Sequence, residues 1–150
     1  EKALHMKYVS TGASATLPQL AVAEFVAKGH FERHLRTVSR QYQRQRDVMI
    51  SWVQRYFPKG SGISYPQGGF LLWVELPADV DCVRLNERLA QHAIHVAPGA
   101  LFSASGKFRQ CLRLNYAFTL TPAMEEAVRT VGELASEMLS EVGECSLAIK

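Results

Sequence analysis

The sequence predicts a small α/β domain: a mostly antiparallel sheet packed with helices, preceded by a long helix that reaches beyond it. Three observations predict this. Phe31, Leu35, Val38, Tyr42, Met49, Trp52, Val53 and Tyr56 recur at steps of three and four, the period of one amphipathic helix. Phe70 to Leu76 is a nearly continuous apolar run entered through the turn Pro66-Gln67-Gly68-Gly69 and stopped by Pro77. Cys111 to Tyr116 alternates, with Leu112, Leu114 and Tyr116 on one face and Cys111, Arg113 and Asn115 on the other.

The remaining elements follow in order. Residues 1–15 read as a short helical piece and a polar loop, Ser10 to Thr16. Pro18 fits the first turn of a helix capped by Thr16 or a neighbour and closed by Gly29. The long helix runs to near Pro58, with Gln45 in its one polar core slot. At the α-helical rise it is roughly 38 Å long, more than a small domain needs, so it is expected to bridge to a further domain. Gly62 to Tyr65 is a short strand, antiparallel to the Phe70 strand because the turn between them is tight. Asp79 or Asp81 caps a helix through about His92, with Cys82, Leu85 and Leu89 inward. Ile94-His95-Val96 is a brief strand ending at Pro98-Gly99, and a loop runs on to Phe108. Thr121-Pro122 opens the last helix. Its stripe is Ala127, Val128, Val131, Leu134, Ala135, Met138 and Val142, and Gly143 is expected to stop it, leaving an unpatterned tail.

Composition narrows the function. With 150 residues, 47% hydrophobic, the chain is long enough for one real core. A formal charge of +3 asks for neither nucleic acid nor membrane. Cys82, Cys111 and Cys145 form no C-x-x-C pair, which points to reduced, intracellular thiols. No signal peptide is visible at Glu1 to His5, and no apolar run is long enough to span a bilayer.

Candidate sites are few. Arg33, Arg36, Arg40 and Arg44 share one side of the long helix, but without interleaved aromatics they read as a solvated or domain-facing surface. His30 and His34 stand one turn apart with no third ligand, so no metal site is expected. Gly99 to Lys107 is not a phosphate loop: six residues separate Gly99 from Gly106, and Phe108 follows the lysine. No G-x-S-x-G elbow and no Cys-His setting suggests a nucleophile.

Arg113 is different. A guanidinium on a half-buried strand requires an anion, and its planar fork fits a carboxylate two-pronged. The anion comes either from a ligand or from this chain, with Glu75 on a neighbouring strand the internal candidate. Gly68-Gly69 and Pro98-Gly99 are turns or points of close backbone approach at the ends and edges of the same sheet. With Asn115 they are the possible lining of a site around Arg113.

Three blocks in this order, Gly68 to Pro77, Ile94 to Ser103 and Cys111 to Tyr116, resemble the C-terminal part of fold-type I pyridoxal-phosphate aminotransferases. With Gly29 to Arg36, Tyr42, Arg46 and Asp47, they look most like the MocR branch of GntR-type transcription regulators. The resemblance covers essentially the whole chain. It implies that Arg113 binds the α-carboxylate of an amino-acid ligand, while pyridoxal 5'-phosphate is held by a large domain. The family's Schiff-base lysine has no match among Lys2, Lys7, Lys28, Lys59, Lys107 and Lys150, so no catalytic residue is expected here. The chain then reads as a fragment: residues 1–30 linking helices from the large domain, residues 31–150 the small domain. The resemblance further implies a cytoplasmic homodimer, an amino acid or amine as effector, and DNA contact only through an N-terminal domain. A true aminotransferase, acting on 2-aminoadipate or aromatic amino acids, is the alternative. A non-catalytic interaction module, with Arg113 paired internally, is the second.

Overall fold

The computed structural model describes residues 2–11 and 15–147. The elements are α1 (Lys2–Thr11), α2 (Thr16–Ala27), α3 (His30–Tyr56), β1 (Gly62–Ile63), β2 (Leu71–Glu75), α4 (Cys82–Ala90), β3 (Ala97–Pro98), a 3-10 turn (Gly99–Phe102), β4 (Cys111–Asn115) and α5 (Pro122–Leu147). The chain divides into two compact units, Glu1–Ser39 and Arg40–Lys150.

In the first unit the expected polar loop is shorter than its composition suggests. Ser10 and Thr11 still belong to α1, where the Ser10 hydroxyl donates to the Met6 carbonyl at 2.7 Å. Gly12 to Ser14 lie outside the described residues. α2 begins at Thr16 with Ala15 as its cap and no side-chain cap bond, so Thr16 is inside the helix. Pro18 takes the third position, where a missing N–H leaves no intrahelical bond unmade. Gly29, at φ +70°, closes the helix in the left-handed region that glycine adopts without strain. No residue of α2 is buried, and Leu4, Met6, Tyr8, Leu17, Leu20, Phe31 and Leu35 are exposed. The apolar stripe of α3 is therefore buried only in its second half.

The second unit holds the core. Gln45, Met49, Ile50, Trp52 and Val53 are the buried residues of α3. The sheet has the order β1-β2-β4-β3, and every ladder is antiparallel. Leu72 and Val74 of β2 pair with Leu114 and Leu112 of β4, and all four are buried. Leu85 and Leu89 of α4 and Val128, Val131, Ala135 and Met138 of α5 complete the same cluster. The alternate sheet positions, Leu71, Trp73, Arg113 and Asn115, are half-buried or exposed. Period-two alternation has thus made one core face and one mostly open face, on which Cys111, packed against Gly99 at the end of β4, is buried.

Asp81 is the cap of α4, its Oδ1 accepting from the Val83 N–H at 2.9 Å. Burial pushes the Asp81 carboxyl up, but Arg109 and the backbone N–H groups of Val83 and Arg84 outweigh it and hold the acid below its usual range. Three expectations need correction. Ile94 to Val96 is not a strand: the Val96 N–H donates to Asn86 Oδ1 at 2.9 Å instead of a ladder, and the pairing begins at Ala97. The loop after Pro98 opens with a 3-10 turn. α5 passes through Gly143 to Leu147, and Val142 is exposed. A single glycine costs a helix only about 1 kcal/mol, too little to end one braced this way. The brace is α4, whose Arg88 grips Glu141 two-pronged at 2.9 and 2.7 Å.

Gly132 has a role that its sequence context hides. A Cβ there would lie 2.7 Å from the Tyr56 carbonyl carbon and 3.1 Å from Phe57 Cδ1. The glycine lets α5 cross the end of α3 at backbone contact. Among the described residues no helix is long and apolar enough to cross a membrane.

Candidate functional site: an arginine fork on an aromatic bed

Arg113 lies at the centre of β4, opposite Trp73 of β2 and Ala97 of β3. Its guanidinium is not paired with Glu75. The register sets Glu75 against Cys111, and Glu75 Oε1 accepts from Gln110 Nε2 at 3.1 Å. Among the described residues no carboxylate is within ion-pair distance of Arg113. What it meets is a ring: its Cζ stands 4.2 Å from the centroid of Phe102. Trp73 meets Phe102 edge-on at 6.1 Å and Phe108 edge-on at 5.7 Å. Trp73 is itself pinned, its N–H donating to Ser64 Oγ and its carbonyl accepting from the Ser64 N–H, each at 2.9 Å. The fork therefore rests on an aromatic bed and keeps its hydrogen-bond donors for something else. An aromatic face attracts a cation without occupying the in-plane N–H groups that bind a carboxylate.

A cavity of about 630 Å³ adjoins this strand. Phe70, Leu71, Ile94, Val96, Phe118 and Val128 give it apolar walls, and Arg113, Asn115 and His95 add polar groups. Among the described residues lining it there is no lysine.

The other sequence-predicted residues divide between the two ends of β4. Gly68 and Gly69 precede β2, whose first residue Leu71 pairs with Asn115. Gly69 has φ +81°, and a Cβ at either glycine would meet nothing within 4 Å. Their surroundings are open. The turn is held from beneath: Tyr116 Oη donates to the Gly69 carbonyl at 3.1 Å, and Arg46 Nη1 to the Pro66 carbonyl at 3.0 Å. Tyr116 is buried, and burial pushes its phenol up, with Arg46 opposing more weakly. Asn115 is exposed, and its Oδ1 accepts from the Ala117 N–H at 2.8 Å, shaping the exit from β4.

Pro98 pairs with Leu112 on the sheet edge, where a missing N–H is tolerated. Gly99 lies at the other end of β4 from Gly69. A Cβ there would come 2.8 Å from Cys111 Cβ and 3.0 Å from the Cys111 carbonyl oxygen. It serves close backbone approach, not an open cradle. Cys82 and Cys111 are free and buried; burial, followed by Cys111 and Asp81, pushes the Cys82 thiol up to about 12. The Cys145 side chain lies outside the described residues. No group of three metal-ligating side chains occurs among the described residues.

Trp73, Phe102 and Phe108 are the site residues that reading the sequence missed. A signal existed for Trp73, which alternates onto the Arg113 face of β2. For Phe102 and Phe108 none did, because a turn and a loop bring them there.

Comparison with known proteins agrees with this architecture. The family model for aminotransferase class I and II matches residues 2–131. An uncharacterized HTH-type transcriptional regulator of Escherichia coli, YjiR, is 44% identical over 133 residues, covering 89% of this chain and 28% of that protein. The 2-aminoadipate transaminase of Thermus thermophilus is 32% identical over 126 residues, 84% of this chain and 32% of that one. Among solved structures, the α-aminoadipate aminotransferase LysN of Thermus thermophilus superposes with a TM-score of 0.76 at 28% identity, covering 91% of this chain and 35% of that one. The multiple substrate aminotransferase of Thermococcus profundus gives a TM-score of 0.83 at 24% identity, a likeness of fold, over 91% and 34% of the two chains. The chain thus spans about a third or less of the proteins it matches. It belongs to the class I and II aminotransferase family, with the small-domain fold of the fold-type I enzymes.

Proposed function

We propose that this chain is the small-domain part of an aminotransferase-like effector domain in a MocR-type transcription regulator, with Arg113 as the clamp for the carboxylate of an amino-acid ligand. The observation that carries this reading is the Arg113 fork, half-buried on its strand, stacked on Phe102 and without a carboxylate partner among the described residues. Such a cation is stable only if its donors reach water or a ligand anion. The 44% identity to an HTH-type regulator favours the regulator over the enzyme. Residues 1–30 serve in this reading as linking helices to a large domain, and their exposed apolar side chains suit contact with further protein.

Pyridoxal 5'-phosphate, held outside this stretch, would supply the carbonyl that reacts with the ligand's amine. The residues present do not form its cradle: no described lysine lines the cavity, and Gly99 is filled from behind by Cys111. The chain's own contribution is to bind and orient the ligand's acidic end. In the parent homodimer, located in the cytoplasm, closure on the ligand would pass to an N-terminal DNA-binding domain.

A second reading, a true aminotransferase, is favoured by the 32% identity to a 2-aminoadipate transaminase. The two are separated by assaying the full-length protein for ligand-dependent DNA binding and for transamination. A shift of DNA affinity with amino acid and no turnover supports the regulator. Turnover without DNA binding supports the enzyme.

A further inference from the structure

We propose that Phe102 is a positioning residue for the Arg113 fork, holding the guanidinium flat and aimed before any carboxylate arrives. The proposal rests on the reading of Arg113 as the carboxylate clamp and adds the group that makes the clamp rigid. An arginine side chain has four rotatable bonds, and freezing them on binding lowers affinity. A carboxylate from the protein could fix the side chain too, but it would consume part of the fork. Here Arg113 Cζ stands over the ring of Phe102, 4.2 Å from its centroid, and a ring uses none of the N–H donors that a carboxylate would.

The ring is not placed by chance of the surface. Phe102 is 46% exposed, so its own burial is a weak anchor. Trp73 backs it edge-on at 6.1 Å, and Trp73 is the cross-strand neighbour of Arg113. The 3-10 turn that carries Phe102 begins at Gly99, which packs so closely on Cys111 that a Cβ would stand 2.8 Å from the Cys111 Cβ. Gly99, the turn, Phe102 and Trp73 therefore form one support around Arg113. This gives Gly99 a function that an open loop would not: it fixes the distance between the turn and β4.

The test is nuclear magnetic resonance of the arginine Nε–H groups in the 150-residue chain. In the unmodified protein the Arg113 Nε–H is expected to approach the rigidity of ordered backbone, with an order parameter of about 0.8. Exposed Arg36 and Arg40 on α3 are expected below about 0.6. Phe102→Leu should bring Arg113 down to the level of Arg36, with the β4 backbone amides unmoved. Phe102→Trp should restore it. If Arg113 is as mobile as Arg36 in the unmodified protein, the proposal is overturned before any variant is made. It is equally overturned if Phe102→Leu leaves Arg113 rigid. Titration with acetate gives a second readout: loss of the stacking interaction should weaken the shift at the Arg113 Nε–H by about two- to fivefold. The clamp itself is judged separately, by Arg113→Ala in the full-length protein. A rigid Arg113 that binds no ligand carboxylate refutes the clamp, and a mobile Arg113 that does bind one refutes only the role of Phe102.

Discussion

Replacing Arg113 by alanine tests whether the fork waits for a ligand or serves the fold. If Arg113 were half of a buried ion pair, its removal would strand a carboxylate and cost about 3–5 kcal/mol. The structure predicts much less. The interaction with Phe102 at 4.2 Å, at a half-open site, accounts for about 0.5–1 kcal/mol. Alanine also removes two methylenes of the stem; at half burial that is roughly another 0.8 kcal/mol. The expected loss is therefore about 1–2 kcal/mol, with no charge left unpaired. Urea unfolding followed by the fluorescence of Trp52 and Trp73 together measures it, provided the denaturant slope is unchanged. A loss of 3 kcal/mol or more would refute the reasoning and assign Arg113 an internal partner.

Other outcomes follow from particular contacts. Gly132→Ala should destabilise by about 2 kcal/mol in thermal or urea unfolding, because contact with the Tyr56 backbone outweighs the roughly 1 kcal/mol gain in helix propensity; a more stable variant would show that α5 and α3 do not meet there. Asp81→Ala should cost about 1 kcal/mol through the lost cap of α4. Because the folded Asp81 carboxyl is held below its unfolded range, its stabilisation is present above that range and disappears as pH falls through the folded value. The gap between the unmodified protein and Asp81→Ala should accordingly be widest at neutral pH and close in acid, and a gap that widens in acid contradicts the assignment. Cys82, buried with its thiol at about 12, should resist alkylation at pH 8 until the chain unfolds; rapid labelling of the folded protein would contradict its burial.

Much of the fold was legible because it is written in local patterns. The period of three and four located α3 almost to the residue, alternation located β4, and Asp81 was one of two named caps. Failures arose where partners are distant in sequence. Ile94 to Val96 has strand composition, but Asn86 on α4 takes the Val96 N–H, and the ladder starts one residue later. Gly143 looks like a stop, yet the helix–helix brace through Glu141 carries α5 past it. Phe31 and Leu35 match the helical stripe and are exposed, because the periodicity records a need for burial without naming what meets it. The same division holds at the site. Arg113 was visible as a cation out of place on a strand. The register that removes Glu75 and substitutes an aromatic bed was not, since it depends on how β2, β4 and the turn after β3 come together.

The central claim is that Arg113 binds the carboxylate of an amino-acid ligand. Calorimetric titration of the full-length protein, with and without Arg113→Ala, tests it most directly. The ligands are the amino acid that binds most tightly in a screen of the common twenty and the amine left when its carboxylate is removed. Loss of a two-pronged, charge-assisted contact should weaken the amino acid by about 10- to 100-fold and leave the amine nearly unchanged. Equal weakening of both ligands, or of neither, would contradict the clamp.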